Sequence, residues 1–212
     1  MTKPFRVLLN PPHMALNAED TSTPYKMVHT ETIPHSMSPA AIISLVRSAA
    51  RQHSGGLKHL VFSAHGYDGF ISLGRGLGEK VVMLEGGEKT GTRSNIDLFS
   101  DLRSRVGTIW VCTCALAASE RGKEAAKAIA SNAEAYVVAA TGPYPKPVYS
   151  VDYGQIDIAR QAAVVPIQPV LRPGEEWVGK LYGRKVGILI SWERFAREGR
   201  RLGFRLLPAP EG

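Results

Sequence analysis

LKHLVFSAHGYDG, residues 57–69, decides the fold: a nearly unbroken apolar run ends on His65 and is interrupted at once by Gly66. A half-exposed strand alternates apolar and polar residues. HLVFSA (59–64) does not, so it reads as a strand covered on both faces, the hallmark of a parallel sheet. A second segment has the same form. VGTIWVCTCALAASERG, residues 106–122, carries TIWVC into Cys114, then small residues and a helical stretch. Open α/β sheets build their ligand crevices beyond the carboxyl ends of the strands. A thiol and an imidazole delivered to that edge by neighbouring strands make a nucleophile and its proton-transfer partner.

Around these two segments the chain alternates strands with helical stretches, which predicts right-handed crossovers and a three-layer α/β/α sandwich with a mostly parallel central sheet. FRVLLN (5–10) is a short buried strand closed by Pro11 and Pro12. Residues 11–37 read as loop with at most an edge strand, and their histidines, His13, His29 and His35, read as surface groups. Ser38 is placed to cap a helix with Pro39 in its first turn, where a missing N–H costs nothing. Ile42, Ile43, Val46 and Ala50 then repeat at the spacing of a face laid on a sheet, and Gly55-Gly56 ends the helix.

GFISLG and VVMLEGG (69–74, 81–87) predict an antiparallel hairpin across RGLGEK at the rim of the site, followed by a mobile loop, EGGEKTGTRS. Asn95 is expected to cap a helix whose buried stripe is Ile96, Phe99 and Leu102. KEAAKAIASNA is a helix of strong formers and AYVVAATG (135–142) the next central strand. Residues 143–180 are rich in proline and glycine and read as loops. RKVGILIS (184–191) reads as a final strand before a basic amphipathic helix, Trp192–Leu202, with Trp192, Phe195, Ala196 and Leu202 facing inward. No repeat or boundary divides the chain, so 1–212 is expected to form a single domain with loop-rich 143–180 and the strand and basic helix of 184–205.

Composition narrows the function classes. The 212 residues are 44% hydrophobic and 21% charged, ordinary for a globular protein. No stretch approaches the ~18 apolar residues of a membrane-spanning helix, and the apolar run at the start is too short for a secretory signal. A cytoplasmic location is the expectation, although export by a specialised system leaves no trace in such a sequence. The two cysteines, Cys112 and Cys114, are two residues apart on one strand and cannot staple distant parts of the fold, which fits reduced thiols. The histidines are too scattered to complete a zinc set with them, so neither metal nor cofactor is expected. The net charge of +7 concentrates near the end, at Arg184, Lys185, Arg194, Arg197, Arg200, Arg201 and Arg205. With no nucleic-acid motif beside them, these read as a solvated helix face rather than a nucleic-acid site.

The strand ending in His-Gly and the later strand ending in Cys resemble the dyad-bearing strands of the caspase-like (clan CD) cysteine peptidases. Within that group the chain is most similar to bacterial caspase-like domains of large secreted repeat proteins. The resemblance rests on HGYDGFISLG (65–74), the acidic-leucine helix after it, and CALAASERGKEAAKAIASNAEAYVVAATG, and covers about 57–145. Residues 65 and 114 are 49 apart, close to the ~50 that separate the two groups in caspases. Thr113 and Ala115 depart from the caspase signature around the cysteine.

The resemblance implies a caspase-like fold, a polypeptide substrate, and peptide hydrolysis by a dyad of His65 and Cys114 with no third catalytic residue. It also implies an oxyanion hole from the backbone N–H groups of Gly66 and Cys114, and specificity loops in 143–180. A thiolate is needed, and two features favour it: an imidazolium at His65 and the positive end of the helix after Cys114. Asp68 is close enough to orient a loop, without a catalytic role. Cys112 faces the side of Cys114 but lies deeper and is expected to pack. Two other readings stay open: a catalytically silent caspase-like module that binds a protein partner, and an amidase or acyltransferase using the same dyad.

Overall fold

The computed structural model describes residues 6–83, 89–142, 151–158, 164–169, 180–181, 184–185 and 187–207. In chain order the elements are β1 (Arg6–Leu9), β2 (His13–Ala18), β3 (His29–Ile33), α1 (Pro39–Arg51) and β4 (Leu57–Ser63). A small antiparallel sheet follows, from β5 (His65–Tyr67), β6 (Phe70–Ser72), β7 (Leu77–Met83) and β8 (Lys89–Ser94). Next come a 3-10 helix (Ile96–Leu102), β9 (Val106–Cys112), α2 (Glu120–Ala133) and β10 (Tyr136–Ala140). The rest is β11 (Gln155–Asp157), β12 (Val164–Gln168), β13 (Lys180–Leu181), β14 (Arg184–Lys185), β15 (Ile188–Leu189), α3 (Trp192–Arg197), α4 (Gly199–Leu202) and β16 (Phe204–Leu207).

The main sheet has seven strands in the order β15-β12-β10-β9-β4-β2-β3. From β3 through β2, β4 and β9 to β10 every pairing is parallel, while β12 runs antiparallel to β10 and β15 antiparallel to β12. The α/β class with a mostly parallel sheet is therefore what the chain adopts. β4 lies in the middle, between β2 and β9, and every residue in it but Lys58 is buried.

One face of the sheet is covered by helices. Ser38 caps α1, its hydroxyl accepting from the Ala41 N–H, and Pro39 opens the first turn. Ile42, Ile43 and Val46 join the core that contains Leu60, Phe62, Ile109 and Val111. The stripe Ile96, Phe99 and Leu102 is buried as expected, but in a 3-10 helix. Its spacing of three suits that geometry, in which positions three apart are eclipsed. Asn95 makes no side-chain cap; its amide donates instead to the Gly76 carbonyl at 2.9 Å.

The opposite face departs from the α/β/α expectation. Its cover is a three-stranded antiparallel sheet, β11-β1-β16, with short α3 beside it. Trp110 at the centre meets Phe195 and Phe204 edge-on, with ring centroids 5.7 and 5.2 Å away. The expected basic helix is two pieces, α3 and α4, followed by β16, so RKVGILIS is not the last strand. Phe195 is fully buried, and Arg194, Arg197, Arg200 and Arg201 are exposed as expected.

Two loops of the sequence reading are strands. His13–Ala18, wholly buried, pairs with β4. Its polar residues conceal it, and each is compensated. The Asn17 amide donates to the Tyr25 carbonyl at 3.0 Å and accepts from the Tyr25 N–H at 2.9 Å, and His13 Nδ1 accepts from the Val28 N–H at 3.0 Å. His13 is thus a core group, not a surface one. β3 is the edge strand allowed for in the sequence. In EGGEKTGTRS, Lys89–Ser94 pairs with β7, and residues 84–88 lie outside the described residues. Among the described residues, no helix is long and apolar enough to cross a membrane.

His59 ties the two layers together. Trp110 Nε1, which can only donate, donates to His59 Nδ1 at 3.2 Å, so the ring proton sits on Nε2 and is donated to the Gly203 carbonyl at 2.8 Å. Burial lowers the pKa of His59 from 6.5 to about 4. The unfolded chain takes up this proton near pH 6.5 and the fold resists it until about 4. Stability from this group is therefore whole above pH 6.5 and lost as pH falls toward 4, by about 3 kcal/mol. Denaturant titrations across that window should show the loss in the wild type. In His59→Gln, which can accept and donate in the same directions without titrating, the slope should flatten by a comparable amount.

Candidate functional site

The last registered pair of β4 and β9 is Ser63 opposite Cys112. His65 and Cys114 each lie two residues beyond it, at the carboxyl edge of the sheet. Parallel neighbours are about 4.8 Å apart, so this register sets Ser63 and Cys112 side by side at the edge of the cleft. Both groups line one cleft of about 160 Å³ with Ser63, Ala64, Cys112 and three residues of the β2–β3 connection, Thr21, Ser22 and Thr23. Cys114 is partly exposed and Cys112 buried. Cys112 packs with Trp110 and Tyr136 as expected, and in addition forms part of the cleft wall.

β4 does not itself end on the imidazole. It stops at Ser63, the chain bends at Ala64, and His65 opens β5 of the rim hairpin. The hairpin expected across RGLGEK forms over a tighter turn: β6 pairs with Leu77 and Gly78, which lie inside that stretch, while Val81 and Met83 pair with β8, and β6 pairs on its other side with β5. His65 thus belongs both to the crevice and to the hairpin that borders it. Tyr67, on the same side of β5, is exposed and stacks on Phe70 at 4.7 Å.

Two fastenings hold the hairpin against the Cys114 segment. The Gly69 N–H donates to the Leu116 carbonyl at 2.8 Å. The Asp68 carboxylate accepts from the Ser119 N–H at 3.1 Å and from the Ser119 hydroxyl at 2.5 Å. Ser119 is the N-cap of α2, its oxygen accepting from the Gly122 N–H at 3.2 Å. Asp68 is therefore the loop-orienting group, and it supplies negative charge at the amino end of α2. This corrects the expectation that the helix end would favour the Cys114 thiolate: α2 starts six residues later and its positive end already faces a carboxylate.

Gly66 is required by close approach. A Cβ there would stand 2.7 Å from Thr113 Cβ and Oγ1 and 3.0 Å from the Phe70 carbonyl oxygen. Thr113 is fully buried, and among the described residues its hydroxyl has no hydrogen-bond partner. On the far side of the sulfur, Ala115 takes a left-handed φ of 50°, a conformation that costs a non-glycine residue about 1 kcal/mol or more. It is held there by the Ala115 N–H donating to the Gly142 carbonyl at 2.8 Å and the Ala117 N–H to Ala140 at 2.9 Å. The turn after Cys114 is thus clamped to the end of β10.

Sequence reading missed the third wall. Asp20 Oδ2 stands 3.9 Å from His65 Nε2 and 3.7 Å from His35 Nε2, and Glu19 Oε1 accepts from the His35 N–H at 2.8 Å. These acids and Thr21–Thr23 form the polar run EDTST, whose composition says only that it is a loop; its place beside His65 follows from β2 being a central strand. The specificity loops expected in 143–180 fall largely outside the described residues, at 143–150, 159–163 and 170–179. Among the described residues, no group of three or more His, Cys, Asp or Glu side chains is arranged to hold a metal ion.

Comparison with protein-family models, curated proteins and solved structures finds no match to this chain.

Gly66→Ala should force the rim hairpin off the Thr113 turn and destabilise the fold by about 1–3 kcal/mol, read as a lower denaturation midpoint at unchanged m-value. Asp68→Asn keeps the shape but weakens acceptance from Ser119 and removes the charge at α2. Its midpoint should fall less than that of Gly66→Ala, and an unaltered midpoint and alkylation rate at Cys114 would show that Asp68 does not fasten the two loops.

Proposed function

We propose that the chain is a caspase-like cysteine endopeptidase that hydrolyses peptide bonds through a thioester, with His65 and Cys114 as its dyad. The supporting observation is the shared register: an imidazole and a thiol, each two residues past the Ser63–Cys112 pair, face one cleft. Cys112, the rival nucleophile, is only 4% exposed.

His65 takes the thiol proton of Cys114, and the thiolate attacks the substrate carbonyl carbon, whose oxygen becomes an oxyanion. The N–H groups of Gly66 and Cys114 are assigned to stabilise it, because fixed backbone donors need not reorganise as the charge forms. Gly66 carries no side chain to keep a substrate backbone away. The carbon–nitrogen bond then breaks as His65 delivers its proton to the departing amine. Water attacks the thioester with His65 accepting its proton, the carbon–sulfur bond breaks, and the acid product leaves. Asp20, facing His65 Nε2, lends negative charge to the imidazolium that forms. The Asp68 and Gly69 fastenings hold the two ends in register through both steps.

Cleavage of a peptide library by the wild type should fall at least about a thousandfold in both Cys114→Ala and His65→Ala. Cleavage that survives both substitutions would overturn the assignment. Iodoacetamide near neutral pH should alkylate Cys114 quickly and leave Cys112 protected. Slow, equal labelling of the two thiols would instead favour a catalytically silent module that binds a protein partner in the same cleft.

A further inference from the structure

We infer that Cys112 is the resolving partner of Cys114: peroxide oxidises the more exposed thiol, and the two sulfurs then close a strained, readily reversed disulfide that switches the site off. This regulation rests on the dyad reading above, because it uses the proton transfer from Cys114 to His65. It does not require that a peptide be cleaved.

The cleft holds both sulfurs. Cys112 and Cys114 line it together with His65, while the residue between them does not. Thr113 is instead fully buried against Gly66. Exposure differs in the sense such a pair needs. Cys114 is partly exposed and meets a solute first, whereas Cys112 is 4% exposed and shielded from direct oxidation.

The span is within reach of a bridge. Two residues of extended strand cover about 6.6 Å, just under the ~7 Å beyond which the backbone would have to move. β9 ends at Cys112 and the chain bends through residues 113–115, which shortens that span. A disulfide at the long end of the range is strained, and strain makes it easier to reduce. Such a bridge suits a reversible switch and not a structural staple.

The steps balance with hydrogen peroxide as the oxidant. The Cys114 thiolate attacks one peroxide oxygen, the oxygen–oxygen bond breaks, and the departing hydroxide takes the proton held by His65 to become water. Cys112 then attacks the sulfenic sulfur of Cys114. The sulfur–sulfur bond forms as the sulfur–oxygen bond breaks, and hydroxide leaves with the Cys112 proton as a second water. Two thiols have given two electrons to one peroxide, and the nucleophile is withdrawn.

To test this, the full-length chain is treated with hydrogen peroxide near neutral pH and digested with trypsin, which releases both cysteines in one peptide, residues 106–121. That peptide should come from monomeric chain lighter by two hydrogens, and glutathione should restore the reaction of Cys114 with iodoacetamide. In Cys112→Ser and Cys112→Ala, two replacements that would disturb packing differently, Cys114 should gain oxygen instead. Its loss beyond rescue by reductant should then be at least about tenfold faster than in the wild type. A wild type that forms no bridge within the chain, a bridge that resists glutathione, or equal irreversible loss in all three proteins overturns the inference. Cleavage of a peptide library is read on the same samples. A bridge in a chain that cleaves nothing keeps the switch and removes the peptidase, whereas cleavage lost irreversibly in wild type and variants alike removes the switch alone.

Discussion

The pairing of β4 with β9 is the constraint on which the rest depends. Register in a sheet buried on both faces has almost no freedom, because a slip of one residue sends every side chain to the wrong side. Leu60 and Phe62 on β4 and Ile109 and Val111 on β9 enter the helical core, while Val61, Trp110 and Cys112 enter the other. That alternation sets Ser63 opposite Cys112, the last pair before the edge whose cleft His65 and Cys114 line. The chemistry of the edge is a by-product of packing at the centre.

Beyond the last paired residues the ladder gives no support, and other interactions take over. On the histidine side the rim hairpin is anchored by Asp68 and Gly69 to the segment after the cysteine. On the cysteine side, the left-handed Ala115 is held by carbonyls at the end of β10. Gly66 lets the two meet at a separation that no side chain would permit. The crevice is thus closed by backbone contacts that involve few residues, each with a definite job.

The second face shows how polar groups enter a core. His13, Asn17 and His59 are nearly inaccessible, yet each meets backbone or indole partners at 2.8–3.2 Å. Reading His13–Ala18 as loop failed for that reason: hydropathy counts an imidazole or an amide as exposed, and the partners that satisfy it, at Val28 and Tyr25, become neighbours only after the chain has turned back. The Thr21–Thr23 wall of the cleft was lost with it. The same limit hid β11 and β16, strands of three and four residues, and with them the three-stranded cover in which β1 takes part.

Local chemistry was legible where it acts locally. The central strands at 57–63, 106–112 and 136–140, the Ser38-Pro39 start of α1 and the stripe of the 3-10 helix all follow from runs and spacings within a dozen residues. Tertiary structure alone decided which strands are neighbours, that small strands rather than a helical layer cover the second face, that Asp68 serves the end of α2, and that Asp20 and Thr21 stand beside His65. The physical reason is the same for each: these are contacts between residues about 15 to 200 positions apart, and burial and hydrogen bonding at such range exist only once the sheet has been assembled.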